Sequence, residues 1–251
     1  MFNVFGVCCL LFGFFGNIFQ SLSMKSIYIL SITFLFCLKS NFVFSQKSGV
    51  DTIFLIRNEN QKVFVEPSKK SERYKTLSDF SFAEFQEESY QSQISELISA
   101  ETEFKKMNYG KMPKKWVRCY MFKGKPFLYY PCDFIHYRAA MFTDSAFLEI
   151  TGEGPQIYPM IAYKKRKDNS RCIRAQGIEI IIHPVTIGEK SLAVFETYYF
   201  NQDEKEKIPI YILMTDAHNI YQLPMIVNEC NYQKEIEFKL DDPDYMKILK
   251  K

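Results

Sequence analysis

At 251 residues, with 32 basic and 29 acidic side chains and a net charge of +3, the chain suits one ordinary domain and is too evenly charged to favour a nucleic-acid partner. Hydrophobic residues make up 47%, enough to fill a core without staples, and the aromatic share of 16%, much of it in short Tyr and Phe runs, favours strands over helices.

Residues 1–23 contain no charged side chain and six Phe, and residues 24–45 then form a complete export signal. Lys25 is its basic start, Ile27 to Leu38 its apolar centre, and Val43-Phe44-Ser45 a cleavage site ahead of Gln46. The apolar centre is shorter than the ~20 residues a bilayer span needs, so a removed signal peptide is expected, with no stable membrane span after processing. Residues 1–23 are long enough for a transmembrane helix. A complete signal beginning at an internal Met instead makes Met24 the expected start and 1–23 translated upstream sequence. The expected location is periplasmic or extracellular, and the processed chain, 46–251, carries a net charge of +1.

Four cysteines remain after processing: Cys119, Cys132, Cys172 and Cys230. An even number in an exported chain points to at least one disulfide, with three pairings open; four buried free thiols are the alternative. No CxxC unit is present among them, which argues against a zinc knuckle or a thioredoxin-like site.

Asp51–Ile56 and Lys62–Val65 flank a polar turn and read as a hairpin, followed by a loop at 67–71. Residues 79–107 read as one long amphipathic helix, capped by Ser78 or Asp79. Phe82, Phe85, Tyr90, Ile94, Leu97, Ile98 and Phe104 make its stripe, Lys105-Lys106 its last turn, and Gly110 and Pro113 lie beyond its end.

From Trp116 onward the hydrophobic period falls from 3.6 to 2. Strands are expected at 116–122, 126–130, 134–142, 146–151, 157–164, 171–183, 191–200, 208–214, 220–227 and 234–240, with short turns between them. The last of these, KEIEFKL, alternates most cleanly. Lys164-Lys165-Arg166-Lys167 ends in the turn signal Asp168-Asn169-Ser170 and reads as a solvated hairpin tip, with a polyanion or anionic-lipid contact as the alternative. Asp241-Asp242-Pro243-Asp244 is expected to begin a final helical turn through Met246, Ile248 and Leu249.

The fold expected is mainly β (α+β): an antiparallel meander of about 8–10 strands forming a barrel or sandwich, with the helix packed on it. Residues 46–112 form the hairpin-and-helix part and 113–251 the β-body with a short tail.

Chemistry-bearing motifs are scarce. His136, His183 and His218 are the three histidines; Asp216 with His218 is the nearest approach to a metal pair, in a turn-like setting. HExxH and GxSxG are absent, and Gly152 and Gly154 lack the lysine and helix of a phosphate loop. Glu149, Glu153, Glu179 and Glu196 are the acids available for paired-carboxylate chemistry. No cofactor or metal is implied. Adjacent strand residues face opposite ways, so the aromatic pairs Tyr129-Tyr130 and Tyr198-Tyr199 each put one ring in and one out. Tyr129, Tyr137, Tyr198 and Tyr199 are the candidate ligand-binding residues, because their rings stack and their hydroxyls bond.

A Trp opening the first strand after a polar lead, followed by a long meander, resembles lipocalin-like exported β-proteins in rhythm; Lys114-Lys115 stand where that family has a glycine. The function expected is non-catalytic binding of a small apolar ligand or an envelope component. The alternatives are a hydrolase of envelope or extracellular polymers, and a solid structural or interaction module. A hollow interior, a cleft with converging acids, or neither separates the three.

Overall fold

The computed structural model describes residues 52–133, 137–200, 208–231 and 237–250. The export signal, the expected start at Gln46 and His136 lie outside these residues. Among the described residues the chain opens with the expected hairpin, β1 (Ile53–Arg57) and β2 (Gln61–Val65), followed by two helices, α1 (Glu72–Ser78) and α2 (Glu84–Ser99). Then come β3 (Lys115–Arg118), β4 (Tyr120–Phe122), β5 (Lys125–Tyr130), β6 (Arg138–Phe142), β7 (Ala146–Thr151) and β8 (Gly154–Lys165). β9 (Arg171–Ala175), β10 (Ile178–Ile187), β11 (Lys190–Tyr199) and β12 (Ile210–Asp216) lead into a 3-10 segment (Ala217–Gln222), β13 (Met225–Cys230) and a short α3 (Tyr245–Leu249).

Eight strands close an antiparallel barrel in the order β3-β6-β7-β8-β9-β10-β11-β12, with β12 returning to β3. The run from β6 to β12 is the expected meander. Between β3 and β6 the chain leaves the barrel to supply β4 and β5 to a second sheet, ordered β1-β2-β13-β5-β4, in which only β13 and β5 run parallel.

Alternation sorts the barrel residues into two layers. Trp116, Ala140, Phe142, Phe147, Met160, Ile173, Ile178, Ile180, Ile182, Phe195 and Met214 meet in one buried cluster, with every barrel strand contributing, so this is the interior. Trp116 packs edge-on to Phe195 at 5.2 Å, and Phe142 lies 5.0 Å from Phe147. Tyr109 and Met112, just before β3, join the same cluster. The outward residues Val117, Ala139, Leu148, Val194 and Leu213 pack with Phe64, Leu128, Met225 and Val227 of the second sheet, with Tyr74 and Leu77 of α1, and with Ile220 of the 3-10 segment. Each fully buried aliphatic or Phe side chain contributes about 1.5–3 kcal/mol, so the interior and this outer layer carry the fold.

Of the single long helix expected at 79–107 only α2 forms, over 84–99, and α1, just before that range, was not expected. The α2 N-cap, Ala83, has no capping side chain; instead Gln86 Oε1 accepts the Ala83 N–H at 3.1 Å. Asp79 does not start α2: it is the C-cap of α1, its N–H bonding Thr76 O, and its carboxylate accepts from Ser81 N at 2.9 Å. At the other end Glu101 is left-handed and Thr102 N–H returns to Leu97 O, so the helix stops before Lys105 and Lys106. Beyond the stop Met107 N–H bonds Asp144 O, drawing the chain to the barrel. The apolar stripe is also interrupted: no α2 residue is fully buried, Phe85 and Ile98 are exposed, and Tyr90, Ile94 and Leu97 are half-buried. Polar contacts hold α2 to β8, with Gln93 donating to Pro155 O at 2.7 Å and accepting from Ile157 N at 3.2 Å. Gly154 has φ +125, a conformation side chains avoid, and lets β8 begin beside Ser89.

Three expected strands divide. Residues 116–122 split at Cys119, where the chain passes from barrel to second sheet. Residues 171–183 turn at Gln176-Gly177, with Gly177 at φ +77. Residues 220–227 begin in the 3-10 segment, which Asp216 caps by accepting from His218 N. In the expected strand 234–240, residues 237–240 form no ladder; Asp241 alone bridges to Met121, while Phe238 and Leu240 still cover the outer face of the second sheet. The final helical turn forms as expected, with Asp244 accepting from Lys247 N at 3.0 Å.

Cys132 and Cys230, at the ends of the neighbouring strands β5 and β13, form a disulfide with Cα atoms 5.6 Å apart. It closes a 98-residue separation, and such loops stabilise by about 4–5 kcal/mol in the chain-entropy account. Cys119 and Cys172 are free thiols. Cys119 is 2% exposed, and burial pushes its thiol well above the ordinary range. Iodoacetamide on native, unreduced protein should therefore label Cys172 and spare Cys119, with Cys132 and Cys230 reacting only after reduction. Peptide mass mapping reads this directly; native labelling of Cys132 or Cys230 contradicts the pairing.

Candidate functional site

The site begins with strand phase. Trp116 of β3 points into the barrel, so Arg118, two residues on, continues the same face. On β6 the inward Ala140 places Arg138 likewise. β3 and β6 are antiparallel, with Trp116 opposite Ala140 and Val117 opposite Ala139, so Arg118 and Arg138 lie just past the same end of this ladder. Both arginines thus come to the same end of the two strands.

Both line a cleft of about 370 Å³. Tyr120 of β4 and Tyr129 of β5 form one wall; Glu237, Phe238, Leu240, Asp241 and Asp242 form another. Arg118 lies over the Tyr120 ring, 4.6 Å from its centre. Arg138 donates to Tyr137 O at 3.0 Å. Among the described residues Arg118 forms no ion pair.

A polar network fixes the second wall. Tyr129 hydroxyl donates to Glu237 Oε2 and accepts from Asn228 Nδ2 at 3.0 Å and Phe238 N at 3.1 Å. Glu237 also accepts from Asp133 N and Asn228 Nδ2, each at 2.9 Å. Asn228 is 1% exposed, and its Oδ1 accepts from Gln61 Nε2 at 3.0 Å. Burial, then the hydrogen bond the phenol donates to Glu237 and the Glu237 charge, push Tyr129 well above its ordinary value. Asp241 Oδ2 accepts from Gly124 N at 3.2 Å. Two of the three acids in the cleft therefore spend oxygens on the chain itself.

The four candidate tyrosines do not form one site. Tyr129 lines the cleft. Tyr137 lies beneath it, where its hydroxyl donates to Leu77 O at 3.1 Å. Tyr199 points into the barrel and donates to Glu149 Oε2 at 2.9 Å, beside Thr197 and Arg138. The free space at that point is about 20 Å³, room for about one water molecule. Tyr198 faces outward from the same strand.

On that outer face Glu196 accepts from Tyr198 and, at 3.3 Å, from Tyr211, and its Oε2 lies 2.7 Å from His183 Nε2. Tyr211 stacks on Tyr245 of α3 at 5.6 Å. No serine, threonine or cysteine bonds this His–Glu pair among the described residues. Asp216 and His218 meet at 2.9 Å on an exposed turn. Among the described residues no three His, Cys, Asp or Glu side chains converge as a metal set. The candidate acids Glu149, Glu153, Glu179 and Glu196 do not share a cleft.

Sequence reasoning missed Arg118, Arg138, Tyr120, Glu237 and Asp241. A charge two residues after an inward Trp, and another two before an inward Ala, was the available signal. The pairing of those two strands was not. Comparison with protein families, curated proteins and solved structures finds no match to this chain.

Burial of Glu196 works to raise its carboxyl, but the hydrogen bonds from Tyr198, His183 and Tyr211, with the His183 charge, hold it below its ordinary 4.5. A carboxylate held low in the fold stabilises above its unfolded value and loses that contribution as pH falls through the folded one. Melting temperature should thus drop below about pH 4.5, and Glu196→Gln should flatten this acid limb. An unchanged acid limb in the variant would show the cluster to be energetically idle.

Proposed function

We propose that the chain is an exported, non-catalytic binding protein that holds a small anionic ligand with an apolar or aromatic part in the cleft at Arg118 and Arg138. The observation that carries this is the pair of guanidiniums on adjacent strands. An anion reached by two guanidiniums gains charge-assisted hydrogen bonds, which a guanidinium can make two at a time to a carboxylate or phosphate. Tyr120 and Tyr129 offer the aromatic wall, and Asp242 the polar group for the ligand's far end. An apolar ligand inside the barrel, as in lipocalin-like proteins, has no comparable support, because Trp116, Phe142, Phe147, Phe195 and their neighbours pack together there and the space beside Glu149 and Tyr199 holds about one water molecule.

Two considerations favour binding over hydrolysis. Glu237 and Asp241 are held by the chain's own amides, a phenol and Asn228, so a paired-carboxylate mechanism lacks two available acids. The His183–Glu196 pair lies outside the cleft on the barrel's outer face. Export rests on the signal at 24–45, and the Cys132–Cys230 disulfide is consistent with an oxidising compartment. Among the described residues no helix is long and apolar enough to cross a membrane.

Native mass spectrometry of protein freshly isolated from its host, followed by thermal shift with a panel of aromatic carboxylates and sugar phosphates, tests the proposal. A co-purified or stabilising anion is expected, and Arg118→Ala should weaken its binding about tenfold or more, the scale of a lost hydrogen bond to a charge. Turnover of a polymer that Asp242→Asn abolishes in folded protein would instead establish the hydrolase.

A further inference from the structure

We infer that the hairpin joining β8 to β9 is a docking surface for an anionic lipid bilayer, independent of the cleft. Lys164 and Lys165 end β8, Arg166 and Lys167 form the tip, and Arg171 opens β9. Residues 164–171 carry five cations against Asp168, a net +4, whereas the whole chain carries +3; the remainder of the chain is therefore net −1. The positive balance of the protein is concentrated in eight residues.

These charges are presented outward and are not spent internally. Lys164 to Lys167 are exposed and Arg171 is half-exposed. None of the five forms an ion pair among the described residues. Lys165 stands directly across the ladder from Arg171, an arrangement that costs stability unless a counter-charge is near. Asp168 does not serve as that counter-charge. Its Oδ1 accepts from Ser170 N at 3.0 Å and Ser170 Oγ at 2.7 Å, bonds that hold the tip's shape. Arg174, further along β9, faces Glu179 across the next ladder and is not part of the patch.

The surroundings select a bilayer over other polyanions. The β7–β8 ladder ends at Ala146 and Pro159, so β8 runs on through Lys165 without β7, roughly 20 Å at ~3.3 Å per residue. Ile161 is 45% exposed on that stretch and Ala162 is exposed beside it, an apolar flank suited to the headgroup boundary while the lysines reach phosphates. A single-stranded nucleic acid needs exposed rings to stack on. Tyr163, the aromatic residue of this stretch, turns inward, with its hydroxyl donating to Tyr109 O at 3.4 Å and its ring edge-on to Tyr109 at 5.3 Å. A tip made mostly of lysine point charges also fits a dense anionic surface better than paired recognition of single groups.

Flotation of the full-length protein, as isolated, with vesicles of phosphatidylcholine, with and without phosphatidylglycerol, tests this. Binding to the anionic vesicles alone is expected, falling steeply as salt rises. Replacing Lys164, Lys165, Arg166 and Lys167 with Gln should reduce it at least tenfold, while Lys62, Lys70, Lys125 and Lys239 replaced with Gln should leave it within about twofold. The salt dependence of the unaltered protein supports the inference even if the hairpin variant misfolds. Equal binding to neutral vesicles, no binding to either, or equal loss in both variants overturns it. Tighter binding to a sulfated polysaccharide or to single-stranded DNA at the same ionic strength overturns the choice of lipid.

Discussion

The structure depends on closure of the barrel by β3, a four-residue strand wedged between β12 and β6. Its ladders are short, and hydrogen bonds alone contribute little net stability per pair. The strand is held chiefly because Trp116 fills the interior against Phe195, with its indole N–H donating to Pro113 O at 2.8 Å, while Val117 faces the outer apolar layer. One residue secures each side of the sheet. Without that strand β6 and β12 would be open edges, and the apolar layer under the second sheet would face water.

The same strand fixes the cleft. Its phase carries Arg118 on from the inward Trp116, and its pairing with β6 brings Arg138 to the same cleft. The chain leaves the barrel at Cys119, so Tyr120 enters a different sheet and stands across from the guanidinium that precedes it by two residues. Asn228, buried and bonded to Gln61, Tyr129 and Glu237, then ties the incoming segment 237–242 to the second sheet. The disulfide joins β5 to β13 beside this network. Cleft geometry is therefore a product of barrel closure and of one buried amide.

Much of this was legible from local signals. The period-2 alternation from Trp116, and turns such as Ile187-Gly188-Glu189-Lys190, marked a meander of hairpins because side-chain direction and glycine conformations are local properties. The β1–β2 hairpin and the final helical turn after the Asp241–Asp244 segment were readable for the same reason. The helix at 79–107 was misread because spacing records where apolar residues lie on a helix and not whether a tertiary contact stops it; Glu101 and the pull of Met107 toward Asp144 end it early. The break at Cys119 was invisible because both halves alternate correctly while belonging to different sheets. Residues 237–240 show the converse, with correct faces for Phe238 and Leu240 but no ladder. The arginine pair was hidden for a related reason, since inward charge could be read from each strand but adjacency is a property of the closed barrel.

Trp116 offers the most direct test of barrel closure, because it is the one tryptophan in the 251-residue sequence and is 5% exposed. Its emission should be blue-shifted and resistant to acrylamide quenching in the native protein. On denaturant unfolding it should shift red in a single transition that coincides with loss of β-sheet circular dichroism. Emission typical of a water-exposed indole, freely quenched under native conditions while the sheet signal remains, would contradict closure by β3 and with it the cleft that depends on that strand.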